Sequence, residues 1–96
     1  MSSTPEGKVK DAIKKELARA GAYYFMPVQN GMGKPSVDFL VCSRGRFIAI
    51  EAKAPGRSPT PRQLLTLEEI KESGGATVVI DSVAMARQIL PDLLAL

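Results

Sequence analysis

Ninety-six residues carry 13 lysines and arginines against 10 aspartates and glutamates, a net charge of +3, with no histidine and a single cysteine. The length suits one core with no second module, so residues 1–96 are expected to form a single domain. The missing histidine excludes Ser-His-Asp and Cys-His catalysis and histidine-ligated zinc, and the lone cysteine excludes an intramolecular disulfide.

Thr4-Pro5-Glu6 reads as a helix start: a capping hydroxyl, proline at the first helical position and an acid in the first turn. The helix is expected to run to about Ala20 and stop at Gly21. Its apolar stripe is Val9, Ala12, Ile13, Leu17 and Ala20, with Lys8, Lys10, Lys14 and Lys15 largely off it. Glu6, three residues before Val9, extends the face that packs on the sheet, although an acid there also serves the helix dipole alone. The N-terminal M-S-S-T-P-E-G-K lacks the apolar centre of a signal peptide and no apolar run is long enough to span a bilayer, so a cytoplasmic, membrane-free setting is expected.

Ala22 to Val28 reads as a strand that ends near Pro27, its aromatic side chains mostly destined for the core. The loop Q-N-G-M-G-K-P-S follows. Val28 stands where a phosphate-binding loop needs its first glycine, and Pro35 stands where that loop needs Ser or Thr, so a nucleoside triphosphate site is rejected. A lysine-bearing loop of this kind suits contact with a nucleic-acid backbone, or is a plain connector.

The centre of the chain is V-D-F-L-V-C, then S-R-G-R, then F-I-A-I-E-A-K. Two β-branched runs around Arg44-Gly45 predict a hairpin. A two-residue loop pairs Ser43 with Arg46 and carries Asp38 opposite Glu51; a three-residue loop would shift the pairing and set Asp38 opposite Ile50. In the first register alternation puts Lys53 on the face of the two acids. Like charges directly opposite destabilise a sheet pair, and a divalent cation would resolve the conflict; ordinary cross-strand ion pairing is the plainer reading. Cys42, among apolar neighbours, is expected to be a small buried hydrophobe rather than a nucleophile. From Lys34 to Arg62 the bases Lys34, Arg44, Arg46, Lys53, Arg57 and Arg62 face only two acids, Asp38 and Glu51. A basic field around an acidic spot suits a metal-dependent enzyme acting on a phosphate polymer, with Lys34, Arg57 and Arg62 as candidate nucleic-acid contacts.

Thr60-Pro61-Arg62-Gln63 fits a capping box, with Gln63 reaching back to the cap; Gln63 also shares a helix face with Leu67 and Ile70 and can look toward Lys53. That helix should close at Gly74-Gly75. Ala76–Ile80 is a short buried strand, expected to run parallel to a neighbour. Asp81-Ser82 opens a last helix through Val83, Ala86, Leu90 and Leu94, which Pro91 should kink or interrupt. The tail L-P-D-L-L-A-L is expected to cover the core or a partner subunit.

The element order α-β-β-β-α-β-α implies an α/β fold with a mixed central sheet flanked by helices. With Glu6, Asp38, Glu51-Ala52-Lys53 and Gln63 in that order, the chain resembles the PD-(D/E)XK nuclease superfamily, most closely its VRR-NUC branch in the stand-alone phage and bacterial form. The likeness spans about residues 4–81, with 82–96 as an extra C-terminal helix. It departs where the family commonly has proline just before the aspartate, since Val37 stands there. The resemblance implies a restriction-endonuclease-like core in which Asp38, Glu51 and the Ala52 carbonyl ligate Mg²⁺ or Mn²⁺. It makes Lys53 catalytic, gives Glu6 a water-mediated or second-metal role and has Gln63 position Lys53 or the water. It implies a structure-selective DNA endonuclease acting as a homodimer on four-way (Holliday) junctions, in a host-cell cytoplasm if the gene is a phage's. Cleavage of flap, nicked or plain duplex DNA, or a non-catalytic nucleic-acid-binding module, are the alternatives.

Overall fold

The computed structural model describes residues 4–28 and 34–96; most of the glycine-containing loop, residues 29–33, therefore lies outside the described residues. The elements are α1 (Pro5–Ala20), β1 (Tyr23–Phe25), β2 (Phe39–Ser43), β3 (Arg46–Ala52), α2 (Pro61–Glu72), β4 (Ala76–Ile80) and α3 (Val83–Ala95). The order is the one read from the sequence. The four strands form one sheet in the order β1-β2-β3-β4. β1 and β2 run antiparallel, as do β2 and β3, while β3 and β4 are parallel, so the sheet is mixed.

Local chemistry sets the boundaries. Thr4 Oγ1 accepts the Gly7 amide at 3.0 Å and Pro5 follows it, so the opening turn of α1 is satisfied before any tertiary contact forms. Gly21, at φ 68°, ends the helix in the left-handed region. At α2 both halves of the capping box are present: Gln63 N donates to Thr60 Oγ1, and Thr60 N donates to Gln63 Oε1. Past α2, a Cβ on Gly75 would stand 2.8 Å from Ile70 Cγ2 and 3.0 Å from Phe47 Cδ2, so the crossing into β4 requires glycine.

Arg44 and Gly45 both have positive φ, 53° and 80°, the signature of a type I′ two-residue turn. Its twist matches the flanking strands and fixes the pairs Ser43 with Arg46 and Phe39 with Ile50. The next position outward brings Asp38 to Glu51, and the shifted register is excluded.

Alternation along β2 and β3 divides the core. Phe39, Val41, Ile48, Ile50 and Ala52 pack with Val9, Ile13 and Leu17 of α1 and Ala86, Leu90 and Leu94 of α3. On the other face Val37 and Ala49 pack with Leu67 of α2. The hairpin also anchors the end of α3, whose last carbonyls lack helical donors: Ser43 Oγ donates to Leu94 O at 3.1 Å and Arg46 donates to Leu93 O at 2.8 Å.

Four expectations need correction. Cys42 is exposed, because alternation turns it away from the α1/α3 core. Strand β1 is only Tyr23–Phe25, since the chain leaves the ladder ahead of Pro27. Tyr23 and Phe25 are 72% and 55% exposed, and only Tyr24 of the three packs inward, its ring 5.9 Å from that of Phe39. Finally, Pro91 does not interrupt α3, which continues through it. Pro91 and Arg87, whose carbonyl loses its donor, are both exposed, while Leu90 and Leu94 stay buried, so water can replace the lost bond while packing holds the helix.

Candidate active site

The hairpin delivers Asp38 and Glu51 as an interlocked pair. The Ala52 amide donates to Asp38 Oδ2 at 2.9 Å, and the Asp38 amide donates to Glu51 Oε1 at 3.3 Å. Each carboxylate thus anchors one oxygen on the opposing strand and keeps one for other partners. Those remaining oxygens meet lysines. Lys53 Nζ lies 3.8 Å from Glu51 Oε2, and Lys10 Nζ lies 3.6 Å from Asp38 Oδ1.

Glu51 is 2% exposed. Burial, reinforced by the negative charge of Asp38, pushes its carboxyl up to about 7, against the opposing pull of the Asp38 amide and Lys53. The pair is electrostatically short of positive charge even with two lysines beside it.

α1 brings the third acid. Glu6 Oε2 is 3.3 Å from Lys10 Nζ, so Lys10 bridges Glu6 and Asp38. Burial works against the ammonium, but Asp38 and Glu6 outweigh it and raise the lysine's pKa. Glu6 and Lys53 line one open cleft of about 510 Å³ with Arg57 and Thr60, so the N-terminal ends of α1 and α2 border the same space. The apolar stripe of α1 leaves Lys10 among the off-face lysines, so the sequence pattern alone does not bring it to the site. The spacing of Glu6 and Lys10, four apart on one helix face, encodes their pairing but not the contact with Asp38.

The other expected residues separate. Gln63 spends its amide oxygen on the Thr60 cap, and among the described residues it makes no hydrogen bond to Lys53. Arg57 lies on the cleft that holds Lys53. Lys34 is paired with Glu69 of α2 at 2.9 Å, and Arg62 lies along the exposed side of α2 beside Leu65 and Glu68. Neither joins Arg57 at the cleft.

The donor set fits a hard divalent cation. Asp38 and Glu51 offer carboxylate oxygens from adjacent strands, and the Ala52 carbonyl is close in sequence. Among the described residues no group of three or more His, Cys, Asp or Glu side chains is placed to hold a metal. Two carboxylates leave much of the coordination shell to water and substrate, an arrangement Mg²⁺ favours.

A mixed sheet with α1 and α3 on one face and α2 on the other, carrying acids on a central hairpin, is a restriction-endonuclease-like architecture. Among solved structures, a VRR_NUC domain superposes on this chain with a TM-score of 0.79 and 23% identity, covering 92% of this chain and 96% of the other. The chain has the VRR-NUC fold. No protein-family model matches the sequence, and no curated protein matches it significantly. No helix among the described residues is long and apolar enough to cross a membrane.

Proposed function

We propose that this protein is a Mg²⁺- or Mn²⁺-dependent endonuclease that hydrolyses phosphodiester bonds in DNA. The observation that carries the proposal is the interlocked Asp38–Glu51 pair with Lys53 beside it, on a fold shared with a VRR_NUC domain. Asp38, Glu51 and the Ala52 carbonyl would hold the ion. When bound, such an ion polarises the scissile phosphate and lowers the pKa of the attacking water. Lys53 orients that water and offsets the negative charge that builds on the phosphate during attack. Arg57, on the same cleft, binds the neighbouring backbone phosphate. Glu6, paired with Lys10, would reach the ion only through water, and Gln63 fixes the start of α2 at the edge of the cleft.

The preferred substrate on this reading is a four-way junction, cut by a homodimer. The exposed Tyr23 and Phe25 on edge strand β1 support a partner surface for a second copy. Lys34 and Arg62, away from the cleft, would then reach backbone flanking the cut.

The test is cleavage of an end-labelled four-way junction, a flap and the matched linear duplex in Mg²⁺ or Mn²⁺. Paired, symmetric cuts in the junction at least tenfold faster than in the duplex are expected. Equal rates on all three remove the junction preference and keep the nuclease. Binding without cleavage, indifferent to Asp38→Ala, identifies a binding module instead.

A further inference from the structure

Lys53 is one of two ammonium groups at the acid pair, and the other, Lys10, has no part in the hydrolysis described above. Asp38 has two oxygens, and Oδ2 is committed to the Ala52 amide at 2.9 Å. The oxygen that Lys10 faces, Oδ1 at 3.6 Å, is therefore the less committed of the two and the one more open to a cation at the pair. The same ammonium is 3.3 Å from Glu6 Oε2 and so occupies the acid contributed by α1 as well. The lysine and Asp38 side chains are only 30% and 17% exposed, so solvent and salt do not screen the contact away.

We propose that Lys10 is a resident counter-ion of Asp38 that a divalent metal must displace, and that it thereby sets the metal concentration at which the site fills. This rests on the reading of Asp38 and Glu51 as metal ligands. With Glu51 ionised, three acids (Glu6, Asp38, Glu51) against two lysines (Lys10, Lys53) leave the cluster one negative charge, and adding a divalent cation reverses that sign. The lysine that shares an oxygen with the incoming ion is then repelled, while Glu6, one helical turn away, keeps it tethered. Lys10 acts through Asp38 and Glu6 and is a positioning residue.

The experiment is a calorimetric titration of the intact protein with Mn²⁺ alone, without DNA, for the wild type, Lys10→Met, Lys10→Arg and Asp38→Asn. Methionine keeps the unbranched stem and the helix propensity; if that variant does not fold, Lys10→Gln takes its place. Lys10→Met is expected to bind Mn²⁺ about tenfold more tightly, Lys10→Arg to stay within about twofold of the wild type, and Asp38→Asn to lose the site. A merely structural lysine would not tighten binding when removed. Wild-type affinity or weaker binding in Lys10→Met, with wild-type binding still dependent on Asp38, overturns the counter-ion role alone. Wild-type binding that is absent, or that survives Asp38→Asn, overturns the metal reading and the counter-ion role with it.

Discussion

Lys53→Ala is expected to slow DNA cleavage by roughly 10²–10⁴-fold while leaving Mn²⁺ bound at wild-type affinity or tighter. The ammonium lies 3.8 Å from Glu51 Oε2 and donates no ligand, so its loss removes positive charge beside the phosphate without removing an oxygen from the metal. DNA affinity should change little, because on this reading Arg57, on the same cleft, still binds the backbone. Asp38→Ala and Glu51→Ala should instead lose cleavage and Mn²⁺ together. Single-turnover cleavage measured beside calorimetric Mn²⁺ binding separates the two patterns. Loss of Mn²⁺ binding in Lys53→Ala, or equal Mn²⁺ affinity in all three variants, contradicts the assigned roles.

Glu51→Gln is expected to be more stable than the wild type at pH 8 in EDTA, by about 2–3 kcal/mol, and to lose that advantage near pH 4. Between the ordinary glutamate value and about 7, folded Glu51 keeps a proton that the unfolded chain has released. The folded state then binds more protons, so stability falls as pH rises through that window and levels off above it. The charges involved are Asp38 beside it, Lys53 after the same strand, and Lys10 with Glu6 from α1. Glutamine mimics the protonated acid and removes the slope. Urea unfolding from pH 4 to pH 8 measures the difference. Adding Mn²⁺ at pH 8 should restore the wild type and leave Glu51→Gln unchanged, since a ligand that binds only the folded state stabilises it. A wild type that gains stability between pH 5 and pH 8 without metal would show that burial does not hold the proton on Glu51.

The hairpin was legible because two strong local signals agree. Arg44-Gly45 specifies a two-residue turn, and period-two alternation then carries the register from Ser43 to Glu51 without tertiary information. Thr4-Pro5 and Thr60-Pro61 marked the helix starts for a similar reason: capping uses only neighbours in sequence. What depended on packing between distant segments was harder to read. That Lys10 meets Asp38 follows from how the first turns of α1 lie against the sheet, which no periodicity encodes. That Lys34 meets Glu69 follows from α2 covering the second face. Cys42 and Phe25 looked like core because their neighbours are apolar, yet the side of the sheet they occupy is left partly bare. Pro91 looked like a breaker, but Leu90 and Leu94 bury enough surface to hold the helix together around it.

The most direct test of Asp38 and Glu51 as the seat of phosphodiester hydrolysis is cleavage of an end-labelled four-way junction by the wild type and Asp38→Asn, with Mn²⁺ and then with EDTA. Cutting by the wild type in Mn²⁺, none in EDTA, and none by Asp38→Asn although it still binds the junction is the expected result. Cutting by Asp38→Asn at the wild-type rate, or by the wild type in EDTA, would contradict it.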